Sequence, residues 1–431
     1  MRRTMLLLAC ALAGALPLAA QTTAPLDSAN TIGTTYHIHS SVLGEDRSYF
    51  VYAPPGAHGV ASPVIVLLDG PDYVYWLTSA AVRILVIGER MPAALVVAVP
   101  STIAARIRDF TPAIVSDTAR RTAYPTAGGA DRMLRFLADE LLPEVERNYR
   151  TAPFRVLIGW SLEGLFAAYA LLARPEVFQA YIAISPSMWW DHQRLTDSLV
   201  ARLARQPQLR GWFYATIGGV EDPVGMMAPF LRVERAFREH APPTLEWRFT
   251  VLAGEDHYGT PYRSIHGGLD AIFRPFRALP PDSVRALGIA GLDRRYAEMR
   301  ARFGSLDQTP EPALNTLGFL LLADTQASHH ALALDAFREN GRRFPHSANV
   351  YDSMGDAFRT LGQKEAALTC FAASVRTGLA FPDEGDPLGS EVAPNSLRKM
   401  GEVARELDRP AWTPGAIPER VAAECLAGQA R

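Results

Sequence analysis

The sequence is poor in cysteine and nearly balanced in charge. Only three of its 431 residues are cysteine, and basic and acidic residues nearly cancel to give a net charge of −2. So few cysteines exclude a small domain stapled by disulfides, and they offer no cluster of metal ligands. The small net charge gives no reason to expect nucleic acid or an anionic membrane surface as a partner.

Long hydrophobic runs are also missing beyond the N-terminus. No later stretch reaches 18 apolar residues, so we expect no membrane span. The N-terminus itself has a basic start, an apolar run over 5–16 and small residues up to Ala20, which is typical of a signal peptide over residues 1–20. The mature protein is therefore expected to be exported, either periplasmic or secreted. In such a compartment Cys370 and Cys425 either pair or remain two separate buried thiols.

A chain of this length favours two domains, with boundaries that we predict at 31–279 and 284–431. In the first, apolar strands alternate with helix-like segments, which predicts a mostly parallel sheet with helices on both faces, an α/β fold. A hairpin is predicted over Tyr36–Tyr52 and a helix over Arg132–Tyr149. The other predicted strands are 63–68, 94–99, 154–158, 181–184, 212–217 and 247–252.

One stretch of the chain has the layout of a nucleophile elbow. The apolar run 154–158 is followed by a turn that contains Ser161, and helical spacing begins after it. Strand, sharp turn with serine and helix form the nucleophile elbow of an α/β-hydrolase. The G-x-S-x-G motif is incomplete, because Glu163 occupies the place of its second glycine and Gly164 comes one residue late. Taken alone, these residues also fit a strand-to-helix connection with a chance serine.

Two later strand ends provide a base and an acid. His257 follows the strand 247–252, and Glu221 and Asp222 follow the strand 212–217, so the order serine, acid, histidine is that of α/β-hydrolases. A serine hydroxyl needs a base, and the imidazole needs a carboxylate that orients it and stabilises its cation. We favour Glu221 as the acid, since Asp222 precedes Pro223 and suits a turn. Asp222 remains the rival.

Several motifs in the same order resemble the esterase family that includes enterochelin esterases, S-formylglutathione hydrolases and mycolyltransferases. The resemblance covers roughly residues 35–275 and is strongest to the enterochelin-esterase-like branch. It implies an α/β-hydrolase fold without metal or organic cofactor, with Ser161 as nucleophile, His257 as base and an acid at Glu221. The motifs that carry it are SVLGEDR at 41–47, LLDG at 67–70, RIRDFTP at 106–112, GGA at 128–130, the elbow, ISPSMWW at 184–190 and GEDH at 254–257.

Two departures from the family pattern concern the oxyanion hole. A carboxylate at position 163 would oppose a forming oxyanion unless it is paired or points away. The family pattern places a backbone N–H donor directly after Gly70, and Pro71 has none. The N–H groups of Leu162 and of Gly70 or Asp72 are then the candidate donors.

The candidate substrate-binding residues are Arg108, Trp160, Trp190 and Tyr258. For two of them a structural role is an open alternative. The Trp189–Trp190 pair either packs a loop or forms a wall of the cleft. Arg108 either pairs internally with its neighbour Asp109 or anchors a substrate carboxylate.

The C-terminal region resembles tetratricopeptide repeats. After a helix predicted over Val284–Phe303, two helix pairs carry similar residues, with Leu317-Gly318 and Phe337 in the first and Met354-Gly355 and Phe371 in the second. Such a domain binds a protein partner or a second copy, or it only packs on its own chain.

The sequence therefore predicts an exported serine esterase that acts on a small-molecule ester through a Ser-Glu-His triad and an acyl-enzyme. The alternative is a hydrolase-fold scaffold protein with weak or no catalysis, in which the helical region binds a partner.

Overall fold

The computed structural model describes residues 32–55, 57, 59–68, 72–115, 117–205, 208–382 and 391–428, without the side chains of residues 72 and 327. The predicted signal peptide lies outside these residues. From Gly33 onward the described residues form one compact unit. Within the same residues, no helix combines the length and the apolar character that a membrane crossing requires.

Eight strands of the described chain form a single sheet in the order β1-β2-β4-β3-β5-β6-β7-β8. Strands β1 and β2 form the predicted hairpin, β2 pairs antiparallel with β4, and every other pairing is parallel. This mostly parallel sheet confirms the predicted α/β class. The strands are β1 Thr34–Ser40, β2 Glu45–Tyr52, β3 Ser62–Leu68, β4 Leu95–Val99, β5 Thr151–Trp160, β6 Ala180–Ile184, β7 Gly211–Gly218 and β8 Leu245–Leu252.

Helices cover both faces of the sheet, and this explains why the central strands read as unbroken apolar runs. Every residue of β3, β4 and β6 is buried, as expected for strands with helices on both faces. Two separate apolar clusters form the two cores, one on each side of the sheet. The surrounding helices are α1 Asp72–Ile87, α2 Ile103–Phe110, α3 Thr118–Ala123, α4 Ala130–Arg135, α5 Leu142–Asn148, α6 Leu162–Ala173, α7 Trp190–Ala204, α8 Ala228–His240 and α9 Thr260–Ile272.

The predicted helix over 132–149 is interrupted. A π-helical turn, Phe136–Leu141, separates α4 from α5. A second π-helical turn, Pro223–Met227, precedes α8 and begins directly after the candidate acids. Each continues directly into a regular helix, α5 and α8 respectively.

The helix α10, Pro281–Phe303, joins the sheet region to the helical region and starts three residues earlier than predicted. Its first half contributes Val284 and Leu292 to the core of the helical region. Its last turn contributes Phe303 to a core of the sheet, where the ring lies 4.9 Å from that of Phe154. One helix thus serves two cores, and the predicted domain boundary before residue 284 stays a prediction.

The helical region consists of antiparallel pairs with an equivalent contact in each pair. A Cβ on Gly318 would lie 2.6 Å from the ring of Phe337, and one on Gly355 would lie 2.5 Å from the ring of Phe371. In both pairs, therefore, a glycine lets the paired helices approach closely. The tetratricopeptide-like classification and a protein partner for this region stay predictions. The helices are α11 Glu311–Leu322, α12 Ala327–Arg343, α13 Ala348–Thr360, α14 Lys364–Ala380, α15 Val392–Glu406 and α16 Val421–Ala427.

Cys370 and Cys425 are joined by a disulfide, the first of the two alternatives left open by the sequence. Cys370 lies in α14 and Cys425 in α16, so the bond ties the C-terminal helix to the helical core.

Candidate active site

Ser161 sits at a strained turn between β5 and α6. Its backbone has φ 65° and ψ −115°, a conformation that residues other than glycine rarely adopt. Hydrogen bonds to the end of β6 and to the loop after it hold this turn. The Ser161 N–H donates to the carbonyl of Ile184 at 2.8 Å, and the Ser161 carbonyl accepts from the N–H of Ser187 at 3.0 Å. The loop after β6 therefore fixes the turn that raises the Ser161 side chain above the sheet edge.

The two glycines beside Ser161 are required by close backbone approaches. A Cβ on Gly159 would lie 2.1 Å from the carbonyl oxygen of Glu163, and one on Gly164 would lie 2.9 Å from that of Ile184. Gly164 thus allows α6 to start close to β6, so the close approach to the sheet is made at 164 rather than at 163.

Glu163 is buried and paired. Its side chain is 1% exposed and accepts two hydrogen bonds from Arg106, from Nε and Nη2, both at 2.8 Å. A bidentate guanidinium compensates a buried carboxylate better than any other side chain. Arg106 therefore compensates the charge of Glu163, which unpaired would oppose an oxyanion forming beside Ser161.

Glu221 and His257 are hydrogen-bonded. His257 Nδ1 lies 2.9 Å from Glu221 Oε2, and the carboxyl is 3% exposed. Its other oxygen accepts from the Ser185 hydroxyl at 2.6 Å and from the Gly218 N–H at 2.8 Å. Burial alone would raise the pKa of Glu221, but the hydrogen bonds from His257, Ser185 and Gly218 outweigh it and hold that pKa below its usual value. Glu221 thus remains a carboxylate that can stabilise an imidazolium.

Asp222, the rival acid, and Asp256, the residue before the base, both make structural hydrogen bonds. Asp222 caps the π-helical turn through the N–H of Val224 at 3.0 Å. Asp256 accepts from the N–H groups of Tyr258 and Gly259 at 3.0 and 2.8 Å. These contacts match the turn-forming role weighed for Asp222, whereas Glu221 contacts the imidazole.

Ser161 and His257 line a common cleft of about 520 Å³ at the carboxyl ends of the strands. The hydroxyl of Ser187 lies beside that of Ser161, with the two Oγ atoms 3.4 Å apart. Within the described residues no hydrogen bond joins Ser161 to His257, and such bonds often tighten only when substrate is bound. The other lining residues are Trp189, Val220, Glu221, Asp222, Met226, Asp256 and Tyr258.

The candidate oxyanion donors are only partly within the described residues. Leu162 is the first residue of α6, where backbone N–H groups have no acceptor inside the helix and the helix dipole favours negative charge. Asp72 opens α1. Gly70 and Pro71 lie outside the described residues, so the second donor stays a prediction.

Two of the four candidate substrate-binding residues lie beside His257 or in the cleft that it lines. Tyr258 lines the cleft and is 78% exposed. Trp160 donates from Nε1 to the carbonyl of His257 at 3.1 Å, and its ring lies 5.2 Å from the imidazole. Trp160 therefore supports the position of His257.

The other two lie away from the cleft. Trp190 is buried, donates from Nε1 to the Pro112 carbonyl at 3.2 Å and lines a different cavity of about 270 Å³, while Trp189 lines the cleft. Arg108 binds Asp109 at 2.7 Å and Glu45 at 2.6 Å. These contacts correspond to the loop-packing and ion-pair alternatives that the sequence left open.

Ser185, Ser187 and Arg106 have no role in the site predicted from the sequence, although all three occur in motifs of the resemblance. A signal for the serines was available, because both follow a strand, β6, at the same sheet edge as the other site residues. Nothing in the sequence alone pairs Arg106 with a residue 57 positions away. Among the described residues, no group of three or more His, Cys, Asp or Glu is placed to hold a metal ion.

Comparison with known proteins assigns this chain to a family. A model described as "Putative esterase" matches residues 40–268. Ferri-bacillibactin esterase BesA of Bacillus subtilis (strain 168) is 37% identical over 200 residues, which are 41% of this chain and 67% of that protein. Two solved structures share the fold. An IroE-like serine hydrolase from Shewanella oneidensis has a TM-score of 0.59 at 23% identity, over 70% of this chain and 98% of that one.

The second, an uncharacterised protein from Capnocytophaga ochracea, has a TM-score of 0.57 at 16% identity and covers 86% of this chain and 99% of that one. At these identities the two structures show the fold alone. The family match and the bacillus relative show more, and with them the chain belongs to the putative esterase family and is a carboxylic ester hydrolase.

Proposed function

We propose that the chain is an exported serine esterase that works through Ser161, His257 and Glu221. The observation that carries the proposal is the 2.9 Å contact between Glu221 and His257 in the cleft that Ser161 also lines. Ser161 Oγ attacks the ester carbonyl while the imidazole takes its proton. The carbonyl oxygen becomes an oxyanion next to the Leu162 N–H. The imidazolium then protonates the leaving alkoxide, and the alcohol departs. The acyl group stays bound to Ser161 as an ester.

The acyl-enzyme is released by the same groups acting in reverse. A water molecule gives its proton to His257 and attacks the acyl carbonyl, and the imidazolium returns a proton to Ser161 Oγ. Before the first step the Ser161 hydroxyl, now 3.4 Å from Ser187 Oγ, turns towards the imidazole. Ser187 is then free to hydrogen-bond the substrate oxygen or water.

We propose a siderophore-type ester as substrate, by analogy with the ferri-bacillibactin esterase. The charge of the cleft limits which siderophore-type esters can bind. Besides Glu221 it is lined by the carboxylates of Asp222 and Asp256, and within the described residues no lysine or arginine lines it. A substrate with negative charge beside the scissile bond would be repelled there. The favoured substrate is therefore uncharged around the ester.

Export is supported by the sequence of residues 1–20 and by the buried disulfide, since structural disulfides persist in oxidising compartments. Cleavage after Ala20 would leave Gln21 as the first residue. N-terminal sequencing of the protein from a periplasmic extract tests this, and a retained Met1 would contradict it.

The test of the mechanism compares three serine variants on a neutral short-chain aryl ester. Ser161→Ala should lower kcat by a factor of about 10⁴ or more. Ser187→Ala, the neighbouring hydroxyl in the same cleft, should retain measurable turnover, and Ser198→Ala on the exposed side of α7 should behave as wild type. Full activity in Ser161→Ala, or abolition only in Ser187→Ala, would overturn the assignment of the nucleophile.

A further inference from the structure

A second cavity, of about 830 Å³, lies at the opposite end of the sheet from the catalytic cleft. It is lined by Trp212 near the start of β7, whereas Gly218 at the end of β7 binds Glu221. Six residues of strand separate these positions by roughly 20 Å. Whatever occupies the second cavity therefore does not touch the catalytic groups.

The lining of this cavity is strongly basic. Among the described residues its lining contains five arginines and one carboxylate, that of Glu246, which sums to a charge of +4. We call it the arginine cavity. Its arginines come from β8, from the segment after α9 and from α10, and they are Arg248, Arg274, Arg277, Arg295 and Arg302.

Two of these arginines are compensated by carboxylates. Arg302 pairs with Glu246, and Arg277 pairs with Asp270, which also binds Arg90 outside the cavity. Both cavity arginines therefore already hold a carboxylate and contribute less attraction for an anion than an unpaired guanidinium does.

The other three are not balanced. Arg295 donates to two backbone carbonyls, those of Pro275 and of Arg277, the latter at 3.0 Å, and neither carries a charge. Within the described ranges, Arg248 and Arg274 have no carboxylate partner. Three guanidinium groups thus share one cavity without a counter-charge, and each is positively charged at any physiological pH.

A buried donor lies beside them. Strand pairing sets Trp212 opposite Glu246 and Tyr214 opposite Arg248, so strand alternation places all four on one face of the sheet. The indole Nε1–H of Trp212 is buried and finds no acceptor in the described part of the chain. A buried N–H without an acceptor is rare in folded proteins and costs free energy, so its presence points to an acceptor supplied from outside.

We propose that the arginine cavity binds a small molecule that carries two or more phosphate or carboxylate groups. Guanidinium groups recognise such oxyanions by paired hydrogen bonds. A volume of about 830 Å³ lies within the range of small-molecule sites. Oxyanion groups of the ligand supply the counter-charge that Arg248 and Arg274 lack, and an acceptor oxygen satisfies Trp212. A ligand with a single charge leaves part of this basic lining uncompensated, so the site favours a polyanion.

The test is calorimetric titration of the full chain with inorganic tripolyphosphate at 150 mM salt. The double variant Arg248→Ala/Arg274→Ala should weaken binding by at least a factor of 10, because each lost charged hydrogen bond typically costs about tenfold. Trp212→Phe should weaken it several-fold. Hydrolysis of a neutral aryl ester should be unchanged in each variant, which separates this site from the proposed catalytic function.

The matched control removes the same charge elsewhere. Arg132→Ala/Arg405→Ala takes two exposed arginines from helices outside the arginine cavity. It should bind tripolyphosphate as wild type does, since only the distant field changes. If the first double variant does not fold, Arg248→Gln/Arg274→Gln keeps side chains of similar polarity and replaces it.

Three results would overturn the proposal. The first is no binding of tripolyphosphate to the wild-type chain, and the second is an equal loss of affinity in the control variant. The third is binding to vesicles that contain phosphatidic acid without any binding to free tripolyphosphate, because the site would then recognise a charged surface rather than a small polyanion.

Discussion

The most informative single substitution is Glu221→Gln, because it removes a charge and keeps the shape. The carboxylate accepts from His257 at 2.9 Å, from Ser185 at 2.6 Å and from the Gly218 N–H at 2.8 Å. A glutamine can still accept two of these bonds through its oxygen. Its NH₂ group then faces either the imidazole or the other two donors, so at least one contact is lost or the tautomer of His257 is reversed.

The size of the effect follows from the loss of the ion pair in the transition state. Two unit charges about 3 to 4 Å apart at an effective dielectric constant near 20 attract by about 4 to 6 kcal/mol. Each 1.36 kcal/mol corresponds to a factor of 10 in rate. We therefore expect kcat of Glu221→Gln to fall by a factor of about 10³ to 10⁴, with little change in KM.

The assay is steady-state hydrolysis of a neutral aryl ester, with Asp222→Asn as the matched control. Asp222 is the adjacent residue, it lines the same cleft, and its asparagine replacement keeps the oxygen that caps Val224. The control should retain wild-type kcat within a few-fold. The reverse ranking, a large loss in Asp222→Asn and a small one in Glu221→Gln, would refute the assignment of the acid.

Three further predictions concern charge and stability. The pKa of Glu221 is lowered in the fold, so the carboxylate contributes its full stabilisation above the unfolded pKa near 4 and loses it as the pH falls below that value. The difference in Tm between wild type and Glu221→Gln, measured by circular dichroism, should therefore be constant from about pH 6 to 8 and shrink below about pH 4. Asp256→Asn should raise kcat/KM for an anionic ester relative to kcat/KM for its neutral analogue. An unchanged ratio of the two values would show that the cleft carboxylates do not repel anionic substrates. Cys370→Ala/Cys425→Ala should lower the free energy of unfolding by about 4 kcal/mol in a denaturant titration, because the disulfide closes a loop of 55 residues.

Much of the fold was predictable because apolar strands and helical spacing are local signals. The hairpin, the parallel strands, the elbow and the choice of Glu221 as the candidate acid all follow from residues within a few positions of one another. Contacts between distant residues were not predictable. The pairing of Glu163 with Arg106 and the bond between Cys370 and Cys425 depend on tertiary packing, which brings together residues 57 and 55 positions apart.

The positions of two adjacent tryptophan side chains were not predictable from the sequence either. Trp189 and Trp190 are adjacent in the sequence, yet one lines the catalytic cleft and the other lines a separate cavity. Neighbouring side chains of one chain segment point in different directions, and the chain then turns at Asp191 to Gln193, three consecutive residues with positive φ. No sequence rule anticipates such a turn in residues other than glycine.

The proposed role of Ser161 as nucleophile is tested most directly by trapping the covalent enzyme and locating the modified residue. The wild-type chain is treated with a fluorophosphonate, digested and analysed by tandem mass spectrometry. We expect one stoichiometric adduct, on Ser161, in the native protein and none after denaturation. An adduct on another serine of the native chain, or no adduct in a preparation that hydrolyses esters, would contradict it.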